Sequence, residues 1–288
     1  MIEEIIYKTP DGFKLLLSDK RRWVLEEEGV GMSPLEYITE RGPFQHGESY
    51  RDMFLRPRTI QYHIRSIHDS RISTWSARSL LLEYLRPNRV PGVPGTLTYI
   101  RQDGSKRAID VFVQEGPDFV KQNDRWDMHA IDTIVRFLAL DPTYYDPQQK
   151  SIVATGSGSL TFPASFAITF TTFGFSATIT NNGTWLSYPY IVIKGPMSNT
   201  KIENLSTDES IEINYSILSG RYVYIDLSYG NKTVTLDDNT NLLYAVSSDS
   251  DLATFHLQPG TNIIEISGSG QDSNTQVIIY WYERYIGI

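Results

Sequence analysis

The sequence contains no cysteine, and this absence removes two kinds of protein architecture at once. Without thiols the chain can form neither a disulfide framework nor a thiolate metal site. Apolar runs of the roughly 18 residues needed to cross a bilayer are also missing. The first residues carry acids and lack the apolar core of a signal peptide,. These absences predict a protein without a membrane span that is made in the cytoplasm.

The chain has little positive charge to offer a polyanion. Its formal net charge is −8, and residues 1–147 hold 20 Lys and Arg against 22 Asp and Glu. Neither half is basic enough to predict nucleic acid as the main partner. Fifteen of the 17 arginines nevertheless lie in residues 1–147. Because the planar guanidinium grips carboxylates in a fixed geometry, we expect the first half to make directional protein contacts and the more acidic second half to be solvated.

What the sequence does contain is enough apolar residues for a core, over a length of about two domains. The 288 residues are 40% hydrophobic and 12% aromatic,. Ile60, Tyr62 and Ile64 alternate with polar residues, which predicts a strand. Residues 131–139 alternate in the same way and predict another.

One helix is predicted between these strands. Asp69 or Ser70 can cap its start, and Pro87 ends it. A hairpin follows around residues 103–104, an Asp-Gly step. The apolar residues that share one side of the helix, and that predict its buried face, are Ile72, Trp75, Leu82 and Leu85.

Two Asp-Pro steps predict the end of the first domain. Proline fixes φ and removes a backbone donor, so Pro142 ends the preceding strand and Pro147 repeats the stop. Tyr144 and Tyr145 lie between them, where they could pack against the second domain or another subunit. We therefore predict a first domain over residues 1–147, a glycine-serine linker over 148–159 and a second domain over 160–288.

The second domain has no helical periodicity to compete with its strands. Short β-branched and aromatic runs alternate there with turn sequences, which predicts a β-sandwich or jelly roll of the galectin or carbohydrate-module kind. The whole chain is therefore predicted to be mainly β, all-β or α+β. Its first domain would be sandwich-like, with one helix and one hairpin.

No motif predicts catalysis, a metal site or a bound cofactor. Side-chain oxygens could hold calcium, but Asp and Asn are also the default turn residues and that interpretation is favoured. The residues concerned are Asp237, Asp238, Asn239, Asp249 and Asp251. The run Glu26-Glu27-Glu28 is interpreted as a solvated loop. Exposed aromatics could stack on sugar rings, although a core role is favoured; the three glycan-contact candidates are Trp185, Tyr188 and Tyr190.

Several segments in a characteristic order carry a family resemblance. Residues 80–119 contain a helix end, a proline-bounded break, a Gly-Thr-Leu strand, a hairpin and a Gly-Pro step. Residues 134–147, "IVRFLALDPTYYDP", form a strand with an aspartate-proline-aromatic ending. The sequence resembles the distal tail proteins of long non-contractile-tailed bacteriophages. Further similar segments are "LRPRTIQYHI", "NNGTWLSYPYIVIKGP", "FHLQPGTNIIEIS" and "YWYERYIGI".

The resemblance implies a structural virion protein at the tail tip, assembled in the host cytoplasm and without enzymatic activity. It implies a homohexameric ring that joins the tail tube protein to the tail hub or tip protein. Contacts with the tape-measure protein or the receptor-binding apparatus are further possible partners. The first domain would form the ring and the second would project outward, with Tyr144 and Tyr145 at the junction. Some of the arginines around the predicted strand and helix should bridge subunits or order the domain through carboxylate pairs; these candidate subunit-interface residues are Arg56, Arg58, Arg65, Arg78 and Arg86.

Two other classes of function stay open from the sequence. One is a carbohydrate-binding module that contacts glycans of the host surface. The other is a glycan-cleaving tail enzyme, for which the sequence supplies many carboxylates but no means of pairing them.

Overall fold

A computed structural model of the chain describes residues 2–18, 22–87, 89–119, 130–155 and 173–288. Its contacts divide the chain into two compact units. The first unit contains residues 1–147 together with 285–288, and the second contains residues 148–284. Antiparallel strands dominate both units, and one α-helix lies in the described part of the chain. The predicted mainly-β fold class is confirmed.

One long antiparallel sheet forms the body of the first unit. The elements of this unit are β1 (Ile2–Lys8), β2 (Lys14–Leu16), β3 (Arg22–Glu28), β4 (Leu35–Glu40), β5 (Ser49–Leu55), β6 (Arg58–Ile67), α1 (Arg71–Tyr84), β7 (Gly95–Arg101), β8 (Lys106–Phe119), β9 (Ala130–Ala139) and β10 (Tyr144–Tyr145). The strands of the sheet are ordered β2-β1-β7-β8-β9-β6-β3, with β10 paired to β8. β4 and β5 pair only with each other and form a separate hairpin.

The sheet folds back on itself around β8. The N-terminal part of β8 pairs with β7 and the C-terminal part pairs with β9, with register shifts beyond Val113. As a result, strands far apart in the pairing order meet in one core. The ring centroids of Tyr7 on β1 and Phe137 on β9 lie 5.0 Å apart. The hydroxyl groups of Tyr62 on β6 and Tyr99 on β7 share a hydrogen bond. The first unit is therefore sandwich-like.

The alternating strands lie where the sequence predicts them. Ile60, Tyr62 and Ile64 are buried on β6, and Val135 and Phe137 are buried opposite them on β9. Period-two alternation gives each strand one apolar face, and burial of that face fixes the register. The predicted hairpin is the β7–β8 turn.

The helix is present, but three of the four residues predicted on its buried face are exposed, and Leu85 alone of the four is buried as predicted. Ser70 caps α1, accepting the amide of Ser73 as the sequence predicts,. The buried residues are Thr74, Leu81 and the following Leu85, whereas Ile72 is 80% exposed. Trp75 and Leu82 are also exposed. Helical spacing identifies an apolar face but not what covers it. At 14 residues α1 is short, and no helix in the described ranges has the length and apolarity to cross a membrane.

The second unit is a sandwich of two antiparallel sheets. Its elements are β11 (Lys150–Thr155), β12 (Phe173–Asn181), β13 (Tyr190–Lys194), β14 (Met197–Asn204), β15 (Glu209–Ile217), β16 (Tyr222–Asp226), β17 (Thr233–Leu236), a 3₁₀ turn (Leu243–Ala245), β18 (Gly260–Ser269) and β19 (Gln276–Trp281), and β20 (Arg284–Tyr285) follows. One sheet is ordered β11-β19-β13-β16-β17 and the other β12-β18-β14-β15. Ile191 and Ile225 from the first sheet and Ile202 and Ile266 from the second share one buried core.

The division into units differs from the predicted boundaries at two places. Residues 150–155 of the predicted linker form β11, which pairs with β19 because its β-branched residues complete that sheet. The rest of the linker lies outside the described residues. Residues 285–288, predicted in the second domain, belong to the first unit, where Tyr285 is buried.

Candidate functional site and assembly surfaces

Two of the five predicted interface arginines bind carboxylates of their own unit. Arg56 lies at the base of the β4–β5 hairpin, and its Nε donates to Glu36 at 3.0 Å. This hydrogen bond lowers the pKa of Glu36. Arg65 donates two hydrogen bonds to the carboxylate of Asp132, one from Nε at 2.6 Å and one from Nη2 at 2.7 Å. The hydrogen bond from Arg65 lowers the pKa of Asp132, whose side chain is only 8% exposed.

Arg58 cannot be a surface residue, so its predicted interface role is corrected. It is 1% exposed and lies within the first unit. Its guanidinium donates to the main-chain oxygens of Gly29 at 3.2 Å, Gly31 at 2.7 Å and Ile286 at 2.7 Å. It also lies 4.8 Å from the ring centroid of Tyr144. Arg58 therefore binds three main-chain carbonyls rather than a carboxylate. These contacts join the segment before β4 to the C-terminal residues.

The last two interface candidates flank the helix. Arg78 is half-buried, with its guanidinium 4.1 Å from the ring centroid of Phe119 and 5.1 Å from that of Trp75. Arg86 is exposed just beyond the end of α1. Arg86 and Arg56 are therefore the two candidates with an exposed side chain, and their contact with a neighbouring subunit stays a prediction.

The junction tyrosines are part of the first unit's interior, contrary to the predicted role at a domain exit. Tyr144 is fully buried, with its ring edge against Tyr99 at 5.6 Å between centroids. Tyr145 is half-buried and donates its hydroxyl to Asp110 at 2.9 Å. The carboxylate of Asp141 accepts from the Thr143 amide at 3.1 Å. This turn directs the chain inward again, so that β10 can pair with β8.

A buried polar network lies beside this core. The Tyr62 and Tyr99 hydroxyls meet in it, and burial raises the pKa of both groups well above the usual value. Glu27 approaches Tyr62, and burial raises the pKa of the carboxyl. Glu27 lies on β3 and is half-buried, so the predicted solvated loop is wrong.

The β4–β5 hairpin exposes apolar side chains on both of its faces. The rings of Tyr37 and Tyr50 contact each other at 6.3 Å, yet Tyr37 remains 59% exposed. Ile38 and Phe54 are exposed as well. A two-stranded hairpin is marginal in water without a covering surface. This surface was not predicted from the sequence, although "LEYITE" and "SYRDMFL" are short enough and apolar enough to signal two paired strands.

The outer face of α1 is a second uncovered apolar surface. Ile72 and Trp75 lie along a shallow open groove of about 510 Å³. The remaining residues of this groove are Ser76, Ser79, Leu80 and Glu83. Contiguous exposed apolar surface in a globular protein marks a contact site.

The glycan-contact candidates of the second unit are all half-buried. Trp185 donates its amide to the Arg284 carbonyl at 3.0 Å. Tyr188 packs 5.7 Å from Tyr229 and lies 4.3 Å from the Lys232 ammonium.

Tyr190 belongs to a row of rings on one sheet, which separates it from Trp185 and Tyr188. Its ring lies 6.3 Å from that of Tyr224 and 6.3 Å from that of Tyr280. Tyr224 in turn lies 6.4 Å from Tyr222. The structure therefore places one candidate in a tyrosine row on the face of β13, β16 and β19 opposite the core.

The acidic residues considered for calcium make contacts within the chain. Asp237 and Asp238 both bind Arg221, and Asp251 accepts the Ser210 amide at 2.9 Å. The hydroxyl of Thr240, with its amide, lowers the pKa of Asp238 to about 2. These contacts are those of turn residues. Among the described residues, no group of three or more His, Asp or Glu could hold a metal ion.

A family comparison identifies the second unit. Residues 182–285 match the model of the siphovirus-type tail component, C-terminal domain. Most of the second unit is therefore similar to a siphovirus-type tail component domain. The resemblance to distal tail proteins found in the sequence is thereby confirmed.

Comparison with solved structures extends the similarity to the whole fold. The crystal structure of SPP1 Dit (gp 19.1), titled a paradigm of the hub adsorption apparatus in phages that infect Gram-positive hosts, has a TM-score of 0.67. The two proteins share 13% identity over 98% of this chain and 99% of that one. A chain of the activated phage P2 baseplate with calcium has a TM-score of 0.48, with 11% identity over 97% and 98% of the two chains. No curated protein sequence matches significantly.

Proposed function

We propose that the protein is a structural component of the phage tail tip that assembles into a closed homohexameric ring. The ring joins the tail tube protein on one side to the tail hub or tip protein on the other. It has no catalytic role, binds no cofactor and assembles in the host cytoplasm before it enters the virion. The tape-measure protein or the receptor-binding apparatus would be its further neighbours.

The observation that carries the proposal is the match of the second unit to a tail component domain. The first unit supplies the surfaces that a ring needs. Its exposed apolar side chains collect on the β4–β5 hairpin and on the outer face of α1, which are two different surfaces of one chain. A ring of identical subunits requires such head-to-tail contacts between unlike surfaces.

Native mass spectrometry of the full chain at micromolar concentration tests the proposal. A sixfold species is expected, together with ring-shaped particles in negative-stain electron micrographs. A strict monomer at every concentration, combined with the absence of a ring of this protein in intact tails, would refute it.

Carbohydrate binding is the second candidate function, and the tyrosine row favours it. Tyr190, Tyr222, Tyr224 and Tyr280 present aromatic rings at 6.3–6.4 Å spacing on one sheet face. Aromatic rings have an apolar face and a polar edge, which suits them to sugar rings. A glycan array of the full chain should then give signals that Tyr224→Ala abolishes and Tyr229→Ala retains. Equal signals from the two variants would assign the binding elsewhere.

A further inference from the structure

We infer that Phe44 at the tip of the β4–β5 hairpin of one copy inserts into the α1 groove of the next copy in the ring. The inference rests on the proposed ring and names the contact that closes it. Its three supports are the exposure of Phe44, the shape of the groove and the charges around both.

Phe44 is presented on an ordered tip rather than on a loose loop. Its side chain is fully exposed, and its φ of 62° is a left-handed conformation that large residues rarely adopt,. Gln45 holds the tip: its side-chain oxygen accepts the Gly42 amide at 2.9 Å, and its main-chain oxygen accepts from Arg41 at 3.1 Å. A preorganised aromatic side chain is a strong anchor because little conformational entropy is lost when it binds.

The groove along α1 has the composition that an aromatic side chain needs. Ile72 and Trp75, with Leu80, provide apolar walls. Ser76 and Ser79 contribute small side chains that leave the groove open. Aromatic pairs and buried aromatic area are the main sources of binding energy at such contacts.

The charges around the two surfaces are complementary. Residues 35–55 of the hairpin hold four carboxylates and two guanidinium groups, a formal net charge of −2. Residues 71–86 hold three guanidinium groups and one carboxylate, a formal net charge of +2. Among the described residues, Arg71 and Arg86 beside the groove and Asp52 on the hairpin make no ion pair. Opposite charges steer association and set its register.

A second copy is the occupant that uses both surfaces at once. One chain carries the anchor and the groove at different places, so each copy can give one contact and receive one. Repetition of that unlike contact closes a ring. Docking of Phe44 on another tail protein would leave the groove unused between copies, and the experiment distinguishes this case.

Disulfide trapping tests the contact directly, because the natural chain has no cysteine. The double variant His46→Cys/Ser79→Cys, which keeps the Gln45 side chain that orders the tip, is oxidised with copper phenanthroline and run on a non-reducing gel. We expect a ladder of covalent species that ends at the closed ring. Each single variant should stay monomeric on the gel. An equal mixture of the two single variants should give dimers and no longer species, because each chain then has one thiol.

The outcomes separate this inference from the proposed function. A sixfold species in native mass spectrometry without a covalent ladder, or with an internal disulfide in a monomer, would overturn the inference and leave the ring intact. Absence of any oligomer in the unmodified chain, together with the absence of a ring of this protein in intact tails, would overturn the ring itself. As a second test, Phe44→Ala should raise the concentration for half-assembly at least tenfold, while Leu218→Ala, another exposed apolar residue, should leave it unchanged. Equal behaviour of these two variants would also overturn the inference.

Discussion

The first and second units bury their strands in similar sandwich-like cores, but they distribute their exposed apolar residues differently. Among the described residues, 16 large apolar side chains are exposed in the first unit and eight in the second. Twelve of those 16 lie between residues 23 and 54 or on α1, whereas those of the second unit lie mostly in separate turns. A continuous apolar surface gains free energy when another surface covers it. We propose from this difference that the first unit is the one adapted to contacts with other chains.

The buried arginine offers the largest test of this comparison. Arg58→Met should remove the hydrogen bonds from the guanidinium to three main-chain oxygens and lower the free energy of unfolding of the first unit by about 3–5 kcal/mol,. Calorimetry should show one transition shifted and the transition of the second unit unchanged. The matched control is Arg221→Met in the second unit, whose solvent-screened ion pairs should contribute much less to stability,. Similar losses for the two variants would contradict the role assigned to Arg58.

Removal of residues 285–288 should have the next largest effect. The first unit then loses the buried Tyr285 and the Ile286 carbonyl that binds Arg58, at a cost of about 2–4 kcal/mol,. Urea unfolding should again separate the two units. Ile286→Ala is the control because it keeps the carbonyl and should retain most of the stability. If the shortened chain is as stable as the full one, these residues do not complete the first unit.

The Asp132–Arg65 pair should give a moderate effect that depends on pH. The hydrogen bond from Arg65 lowers the folded-state pKa of Asp132. The stabilisation is therefore present above the ordinary pKa of 3.8 and is lost as the pH falls through the folded-state pKa,. Asp132→Asn should cost about 1–2 kcal/mol at pH 7 and progressively less in acid. Glu203→Gln, from the more exposed pair with Lys201 in the second unit, should cost less than half as much. A constant difference down to pH 2 would contradict the assignment.

Glu27→Gln should have the smallest effect, and it should be stabilising. Burial raises the folded-state pKa of Glu27. The contribution of its protonated carboxyl to stability is therefore fully present below the ordinary pKa of 4.5 and is lost as the pH rises through the folded-state pKa,. Because the group is only half-buried, we expect a gain of about 0.5–1 kcal/mol at pH 7. The gain should vanish below pH 4.5. Glu28→Gln, at an exposed position of β3, should change nothing, and a loss of stability in Glu27→Gln would show that the carboxylate is favourably bound.

The strands could be predicted from sequence where one face alone is buried. Alternation at Ile60, Tyr62 and Ile64 identifies a face that only the core can accept, and the structure confirms it. The helix was harder. Ile72 and Trp75 satisfy the periodicity of a buried face, but the first unit buries Thr74 and Leu81 instead. Helical periodicity predicts that an apolar face will be buried, but it does not distinguish burial against the core from burial against a second molecule.

The roles of individual polar and aromatic residues could not be predicted in the same way. Arg58 binds main-chain oxygens that lie 29, 27 and 228 residues away in the chain, and a carbonyl leaves no mark in the sequence. Tyr144 follows a proline stop, which predicts an exit, but the Asp141 turn sends it back into the core. Phe44 lies in a polar turn, where one aromatic residue gives no periodic signal.

The return of residues 285–288 to the first unit has a consequence for synthesis. The chain leaves the first unit after Pro147 and rejoins it at Tyr285, with 137 residues of the second unit between them. During translation the first unit therefore stays incomplete until the second unit has been synthesised, because the guanidinium of Arg58 still lacks the Ile286 carbonyl as an acceptor. A chain interrupted within the second unit keeps that defect permanently. The order of the sequence thus makes completion of the second unit a condition for completing the unit that we propose to assemble.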